Sequence, residues 1–251
     1  MKRKKCGCIS DADTHMILDV DYSNLELFVA HHYSNDDNLL KALTEFNFHT
    51  YTASQIFETP YDEVTGFQRF NSKFVTFGIA YGRQAWSLSQ GELKELTGGS
   101  EQRTQMYIDR FWEGYPGYKE VYDRWQYDAI HKGELTTPLG RKRRWRIITP
   151  QTINHIKNQA VNFPIQSLAS DICLSALIRL ARILPEKGLG HVLFTVHDSL
   201  VFEVPADRME EAIAVITYEM ERPPFDTNTP FKVDIDWGPS LGDVQKWQPA
   251  A

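Results

Sequence analysis

Residues 192–204 read VLFTV, then His197-Asp198, then SLVFEV: two apolar runs separated by only two residues. A two-residue connection joins antiparallel neighbours, because parallel strands need a crossover of a dozen or more residues. The segment is therefore expected to be a β-hairpin, and its β-branched and aromatic residues suit a pleated, buried surface. The rest of the chain must fit around an antiparallel sheet that contains this hairpin.

A second strand is expected at 16–21, MILDVD, where apolar residues alternate with Asp. Between the two the pattern is helical. Helices are expected around 36–46 and 48–58, then from Phe67 to Tyr81 with Gly82 as the stop. Another runs from Ser100, a candidate N-cap, to about Glu113, and one more from Tyr115-Pro116-Gly117 to about His131. Residues 134–147 read as a hairpin turning at Pro138-Leu139-Gly140. Helices near 151–162 and 165–184, divided at Pro164, lead into the 192–204 hairpin; an amphipathic helix over 206–221 and a strand over 231–236 follow. This order implies an α+β fold, an antiparallel sheet with a mostly helical subdomain. The expected segments are 1–35 with the first strand, 36–150 ending in the basic hairpin, and 151–251 with the second hairpin and last strand.

Composition excludes some classes. No stretch approaches the roughly 18 apolar residues of a membrane span, and the basic N-terminus MKRKKCGCIS lacks the apolar core of a signal peptide. Cys6, Cys8 and Cys173 form no CxxC pair, so neither a disulfide framework nor a zinc site is expected, and a reducing, cytoplasmic setting fits. The net charge of -6 argues against non-specific nucleic-acid binding. Its distribution tempers this: residues 201–251 hold ten acidic and four basic side chains, so the first 200 residues are neutral in sum and include RKRRWR at 141–146.

Two acids end apolar strands, Asp21 after MILDV and Asp198 at the hairpin tip. An acid in such a place is costly without a partner or a metal. Adjacent strands would bring the two carboxylates together, and two magnesium ions would relieve their repulsion and serve phosphoryl transfer. The plain alternative is that both are turn residues, and Asp19, on the same strand face, rivals Asp21. In RFNSKFVTFGIAYG, Arg69, Lys73, Phe77 and Tyr81 recur every four residues, a stripe of about 18 Å on a helix. Two cations followed by two aromatics match the layout of a nucleoside triphosphate; the alternative is an amphipathic helix with its aromatics in the core. Gly78 and Gly82 suggest close approach of another backbone or a ligand.

DYSNLE at 21–26, RFNSKFVTFGIAYG at 69–82 and VHDSLVFEV at 196–204 together resemble the three motifs of the DNA polymerase I family, family A, in family order. HTYTASQIF (49–57), TPLGRKRR (137–144) and NFPIQSLASD (162–171) are also similar, and phage members are nearest in style. The resemblance covers residues 9 to 247 and implies a palm containing the sheet and helical fingers. It implies a template-directed DNA polymerase acting on primer–template DNA and deoxynucleoside triphosphates with two Mg²⁺. Asp21 and Asp198 match the metal-binding aspartates. Arg69 and Lys73 match the triphosphate cations, with Lys73 also a general acid for pyrophosphate departure. Phe77 matches the position beside the incoming sugar, where Phe implies poor acceptance of dideoxynucleotides. Tyr81 matches the residue at the template base, Glu26 the block to a 2′-hydroxyl, and His49 a further phosphate contact. Asn162, Gln166 and His197 match contacts near the primer end, and Arg141, Arg143 and Arg144 match a DNA-backbone hairpin, whose alternative is a solvated face.

Three departures stand out. Ser199 occupies the place of a glutamate that usually follows the second aspartate, and Asn158 that of a frequent arginine. The thumb and earlier palm strands of the family find no room before the first motif. The expectation is therefore a second polypeptide carrying them, or else a catalytically impaired remnant that only binds DNA or a partner. The setting would be the cytoplasm, that of the host for a phage gene.

Overall fold

The computed structural model describes residues 14–248, which leaves Cys6 and Cys8 outside the described residues. In chain order the elements begin with β1 (His15–Tyr22), α1 (Leu25–Ser34), α2 (Asp37–Thr44), α3 (Phe48–Phe57), a 3₁₀ turn at Tyr61–Glu63 and α4 (Gly66–Ala80). There follow α5 (Ala85–Gln90), α6 (Lys94–Thr97), α7 (Glu101–Gly114), α8 (Pro116–His131) and the short hairpin β2 (Glu134–Thr136) and β3 (Lys142–Arg144). The chain continues through α9 (Ile153–Lys187), β4 (His191–Val196), β5 (Ser199–Pro205), α10 (Met209–Glu221), β6 (Val233–Ser240) and β7 (Asp243–Lys246). Two compact units result, one from residues up to Leu25 together with Leu168 onward, the other from Glu26–Ser167. Among the described residues no helix is long and apolar enough to cross a membrane.

The first unit is built on a five-stranded antiparallel sheet in the order β4-β5-β1-β6-β7, with β1 in the middle. Alternation divides its faces. Leu18 lies opposite Phe202, and Val20 opposite Leu200 and Ile235, on the apolar side with Tyr22, and all are buried. On that side the Tyr22 hydroxyl donates to the carbonyl of Met220 in α10 at 2.6 Å. Arg179 of α9 donates through Nε to Glu219 Oε2 at 2.6 Å, which ties α9 to α10. The opposite face of β1 carries Asp19 and Asp21.

The second unit is helical, with buried Phe48, Phe111, Tyr115, Tyr118 and Trp125 in its core. Local signals start its helices where the sequence places them. Asp36 caps α2, Asn47 caps α3, Ser100 caps α7, and Thr65 forms a reciprocal capping box with Gln68 at α4.

Several elements differ from expectation, among them α5 and α6, which fall where no helix was expected. The two helices expected on either side of Pro164 are one helix, α9. Proline removes one backbone donor, but Ile156, Ala160, Val161, Ile165 and Leu168 are all buried along the run, and that burial outweighs one missing hydrogen bond. Helix α1 escapes periodicity because Leu25, Leu27, Phe28, Val29 and Ala30 are all buried and leave no polar face to read. The strand expected at 231–236 is β6, which reaches Ser240 and pairs with β7, whose DVQK holds a single apolar residue.

Candidate active site

The sheet brings together acids far apart in sequence. Asp21 on β1 lies opposite Ser199 of β5 on one side and Asp234 of β6 on the other. Asp198 directly precedes Ser199 in the two-residue turn, and its carbonyl accepts from the Tyr22 amide at 3.4 Å. The two acids therefore lie at the same sheet end, both half-buried. Each acts on one probe, the Cys173 thiol of α9. Burial pushes that thiol up, the Thr195 hydroxyl opposes the shift, and the charges of Asp198 and Asp21 raise it further. His197, beside Asp198, is exposed at the turn tip with φ of 57°, which the tight turn demands. Asp19, the rival, is buried two residues back and faces Val201 and Asp236.

Two neighbours were missed by sequence reasoning. Ser23 Oγ donates to Asp234 Oδ2 at 2.5 Å, and the Ser23 amide donates to the Lys232 carbonyl at 2.9 Å. These bonds anchor the chain just beyond Asp21 to β6. The Ser23 hydroxyl first, then Lys246 at 3.0 Å, hold the Asp234 carboxyl below its usual range. The signal was present, since KVDID repeats the alternation of MILDVD. Ser199 is fully buried, and its hydroxyl donates to the Val196 carbonyl at 3.2 Å, closing the hairpin turn.

In the helical unit, α4 buries Asn71, Ser72, Val75, Thr76, Gly78 and Ile79. The other side carries Arg69 and Lys73, half-buried, and Phe77 and Tyr81, both more than 40% exposed, at 43% and 44%. The aromatics are thus outside the core, against the amphipathic alternative. His49 of α3 joins this side, its ring centroid 5.9 Å from that of Phe77. Burial first, then the charges of Lys73 and Arg69, lower the His49 pKa to about 4. Its Nδ1 is buried without a hydrogen-bond partner among the described residues. Arg69 Nε donates to Asn47 Oδ1 at 3.2 Å, so the cap of α3 also aims this guanidinium.

At the far end of α4, burial and then the Glu26 carboxylate raise the Tyr81 hydroxyl, opposed by a hydrogen bond with Gln166. Glu26, Tyr81 and Gln166 therefore converge, and Asn162 precedes Gln166 by one turn of α9. Both close approaches marked by glycine are to protein. A Cβ on Gly78 would meet the Leu88 side chain at 2.7 Å, and one on Gly82, at φ +70°, would meet Asn158 Cα at 2.7 Å.

The basic hairpin is divided in its commitments. Arg144 Nε donates to Glu134 Oε2 at 2.9 Å, and Lys142 lies 3.7 Å from the same carboxylate. Arg143 lies over the Trp145 ring at 5.7 Å, and Trp145 Nε1 donates to Gln159 Oε1 at 2.9 Å. Arg141 is exposed at the turn, where its amide donates to Thr137 Oγ1 at 3.2 Å. Glu134 weakens the basic field of this loop only modestly, because exposed pairs are loosely held.

Residues 2–243 match the profile of DNA polymerase family A. The chain is 36% identical over 235 residues to DNA polymerase I of Bacillus subtilis, covering 92% of this chain and 26% of that protein. It is 33% identical over 234 residues to DNA polymerase I of Treponema pallidum, covering 91% of this chain and 23% of that one. The POL domain of Pol1 from M. smegmatis, solved in complex with DNA primer-template and dNTP, superposes with a TM-score of 0.85 and 26% identity. That match covers 94% of this chain and 41% of the other. The chain thus spans about a quarter of the length of the curated relatives. Their remaining length belongs to the same polypeptide, so the expectation of a separate thumb-bearing chain finds no support in them. Family profile, relatives and superposition agree with the motifs at Asp21, α4 and Asp198: the chain belongs to DNA polymerase family A.

Proposed function

We propose that the chain is the catalytic portion of a DNA-directed DNA polymerase, adding deoxynucleotides to a primer 3′-hydroxyl. The observation that carries this reading is the register that sets Asp21 opposite Ser199, with Asp198 beside it, across 177 residues of chain. In this reading the sheet unit is the palm and the helical unit the fingers.

Asp21 and Asp198 are the residues that would hold Mg²⁺. Carboxylate oxygens suit a hard cation, and Mg²⁺ is commonly bound through one or two carboxylates plus substrate phosphates and water. That fits a site where, among the described residues, no group of three or more His, Cys, Asp or Glu side chains is placed to hold a metal alone. When bound, the ion pair would acidify the primer hydroxyl and neutralise charge developing on the phosphates.

The chain's own residues do the rest. Arg69 and Lys73 bind the triphosphate, with Lys73 able to deliver a proton to the departing pyrophosphate. His49, neutral at pH 7, donates one hydrogen bond to a phosphate oxygen without adding charge. Phe77 packs on the sugar, and Glu26, held near Tyr81, crowds a 2′-hydroxyl. Asn162, Gln166 and His197 contact the primer end, and Arg141, Arg143 and Arg144 contact backbone phosphates, which position DNA without reading sequence.

Primer extension by the full chain tests the proposal. Asp198→Ala should lower deoxynucleotide incorporation by at least about a hundredfold with little change in DNA binding. Undiminished incorporation removes the mechanism. Buried Ser199, in place of a second acid beside Asp198, favours one other reading, a DNA-binding subunit without catalysis. Mg²⁺-dependent binding of a deoxynucleoside triphosphate to the chain with primer–template separates the two, since the non-catalytic reading requires none.

A further inference from the structure

Asp21 stands next to the end of β1, and the bonds beyond it are uneven. Toward the β4–β5 turn, the Tyr22 amide reaches the Asp198 carbonyl at 3.4 Å, beyond the usual range for an amide donor. Toward β6 the chain is held twice at Ser23, by its amide to the Lys232 carbonyl at 2.9 Å and by its hydroxyl to Asp234 Oδ2 at 2.5 Å. Asn24 follows at φ of 50° and turns the chain out of the sheet. The like charges of Asp21 and Asp198 push the strand end and the turn apart. The long bond between them is a weak restraint, so the hold at Ser23 carries more of the burden.

We infer that Asp234 is a positioning residue for Asp21: through Ser23 it pins the end of β1 to β6 and keeps the Asp21 carboxylate in place beside Asp198 before a cation arrives. The inference rests on the reading of Asp21 and Asp198 as the metal-holding pair. In register Asp234 lies directly opposite Asp21, on the same face of the sheet. Both of its oxygens are committed, Oδ2 to the Ser23 hydroxyl and Oδ1 to Lys246 Nζ at 3.0 Å. A carboxylate engaged on both oxygens cannot turn to a metal without releasing one of them, so it acts on the strand instead. Lys246 is 66% exposed and holds loosely. The Ser23 hydroxyl, donating to a charged acceptor, makes the stronger bond. Two acids set in place bind a cation more tightly than two that must first be gathered against their own repulsion, because the cost of ordering them is already met.

The test is Mn²⁺ binding by the full chain without DNA, followed by the electron paramagnetic resonance of free Mn²⁺, with circular dichroism as the check on folding. Ser23→Ala leaves every acid in place and removes one hydroxyl. The Mn²⁺ concentration for half-saturation should rise about fivefold, somewhat less than the full worth of a hydrogen bond to a charged group. Ser23→Thr keeps a hydroxyl and should stay within about twofold of wild type. Ser23→Ala/Asp234→Ala should bind no more weakly than Asp234→Ala alone, because both substitutions break the same bond. Asp234→Ala stands in should Ser23→Ala not fold, and binding equal to wild type counts against the inference in either variant. A folded Ser23→Ala that loses stability but keeps its Mn²⁺ affinity overturns the inference. So does a double variant whose losses add, which would make Asp234 a metal ligand in its own right. Mn²⁺ binding that ignores Asp198→Ala overturns the metal pair and this inference with it. Failure of the polymerase reading alone shows differently, as absent incorporation on every primer–template while Mn²⁺ binding still responds to Asp198→Ala and Ser23→Ala.

Discussion

His49 offers a prediction whose size follows from its surroundings. Its pKa falls from 6.5 to about 4, through burial first and then the charges of Lys73 and Arg69. The folded protein therefore holds the ring neutral where the unfolded chain would already be protonated. As pH drops below 6.5, the unfolded state takes up a proton first and stability falls; below about pH 4 both states are charged and the loss ends. For a fully buried ring this shift would remove roughly 2 kcal/mol between pH 7 and pH 5, and the partial exposure of His49 discounts this to about 1 kcal/mol. Urea denaturation of wild type and His49→Gln at both pH values measures it: the variant should lose about 1 kcal/mol less than wild type across the interval. The same electrostatics predicts proton uptake on nucleotide binding. A triphosphate beside Lys73 and Arg69 offsets their charge and raises the ring's pKa, so calorimetry in buffers of different ionisation enthalpy near pH 5.5 should register an uptake that His49→Gln lacks. Identical pH dependence in the two proteins, together with no difference in proton uptake, would refute the placement of a neutral imidazole among these cations.

Other expectations follow from single contacts. Gly82→Ala combines a left-handed φ of +70° with backbone overlap at Asn158. It should cost more than about 2 kcal/mol in thermal unfolding, against about 1 for Gly140→Ala, where φ is +83° and nothing lies within 4 Å. Glu219→Gln weakens a nearly buried carboxylate that accepts from both Arg179 and Arg222, and should cost about 3 kcal/mol by denaturant titration. Asn47→Ala removes the cap of α3 and the acceptor for Arg69, so about 1 kcal/mol of stability should be lost and the KM for nucleotide should rise. Arg143→Ala should weaken DNA binding alike on all sequences and reduce the slope of log affinity against log salt by about 0.9.

Period-two alternation was enough to identify β1, and two apolar runs only two residues apart were enough to identify the β4–β5 hairpin. Helix α4 was as legible, through the four-residue spacing of Arg69, Lys73, Phe77 and Tyr81 along it and Gly82 at its end. These patterns are local, and they suffice to name the candidate acids and cations. Helix α1 and the unbroken course of α9 through Pro164 were not legible, since each depends on burial against partners distant in the chain. Nor could the sequence say that Asp234 flanks Asp21, that Asn47 aims Arg69, or that two cations keep His49 neutral. Those facts depend on pairings across 213, 22 and 24 residues of chain, and a pairing at such separation leaves no trace in either segment alone. The folded sheet and the packing of α3 on α4 decide them, because strand register and electrostatic coupling exist only once the chain has closed on itself.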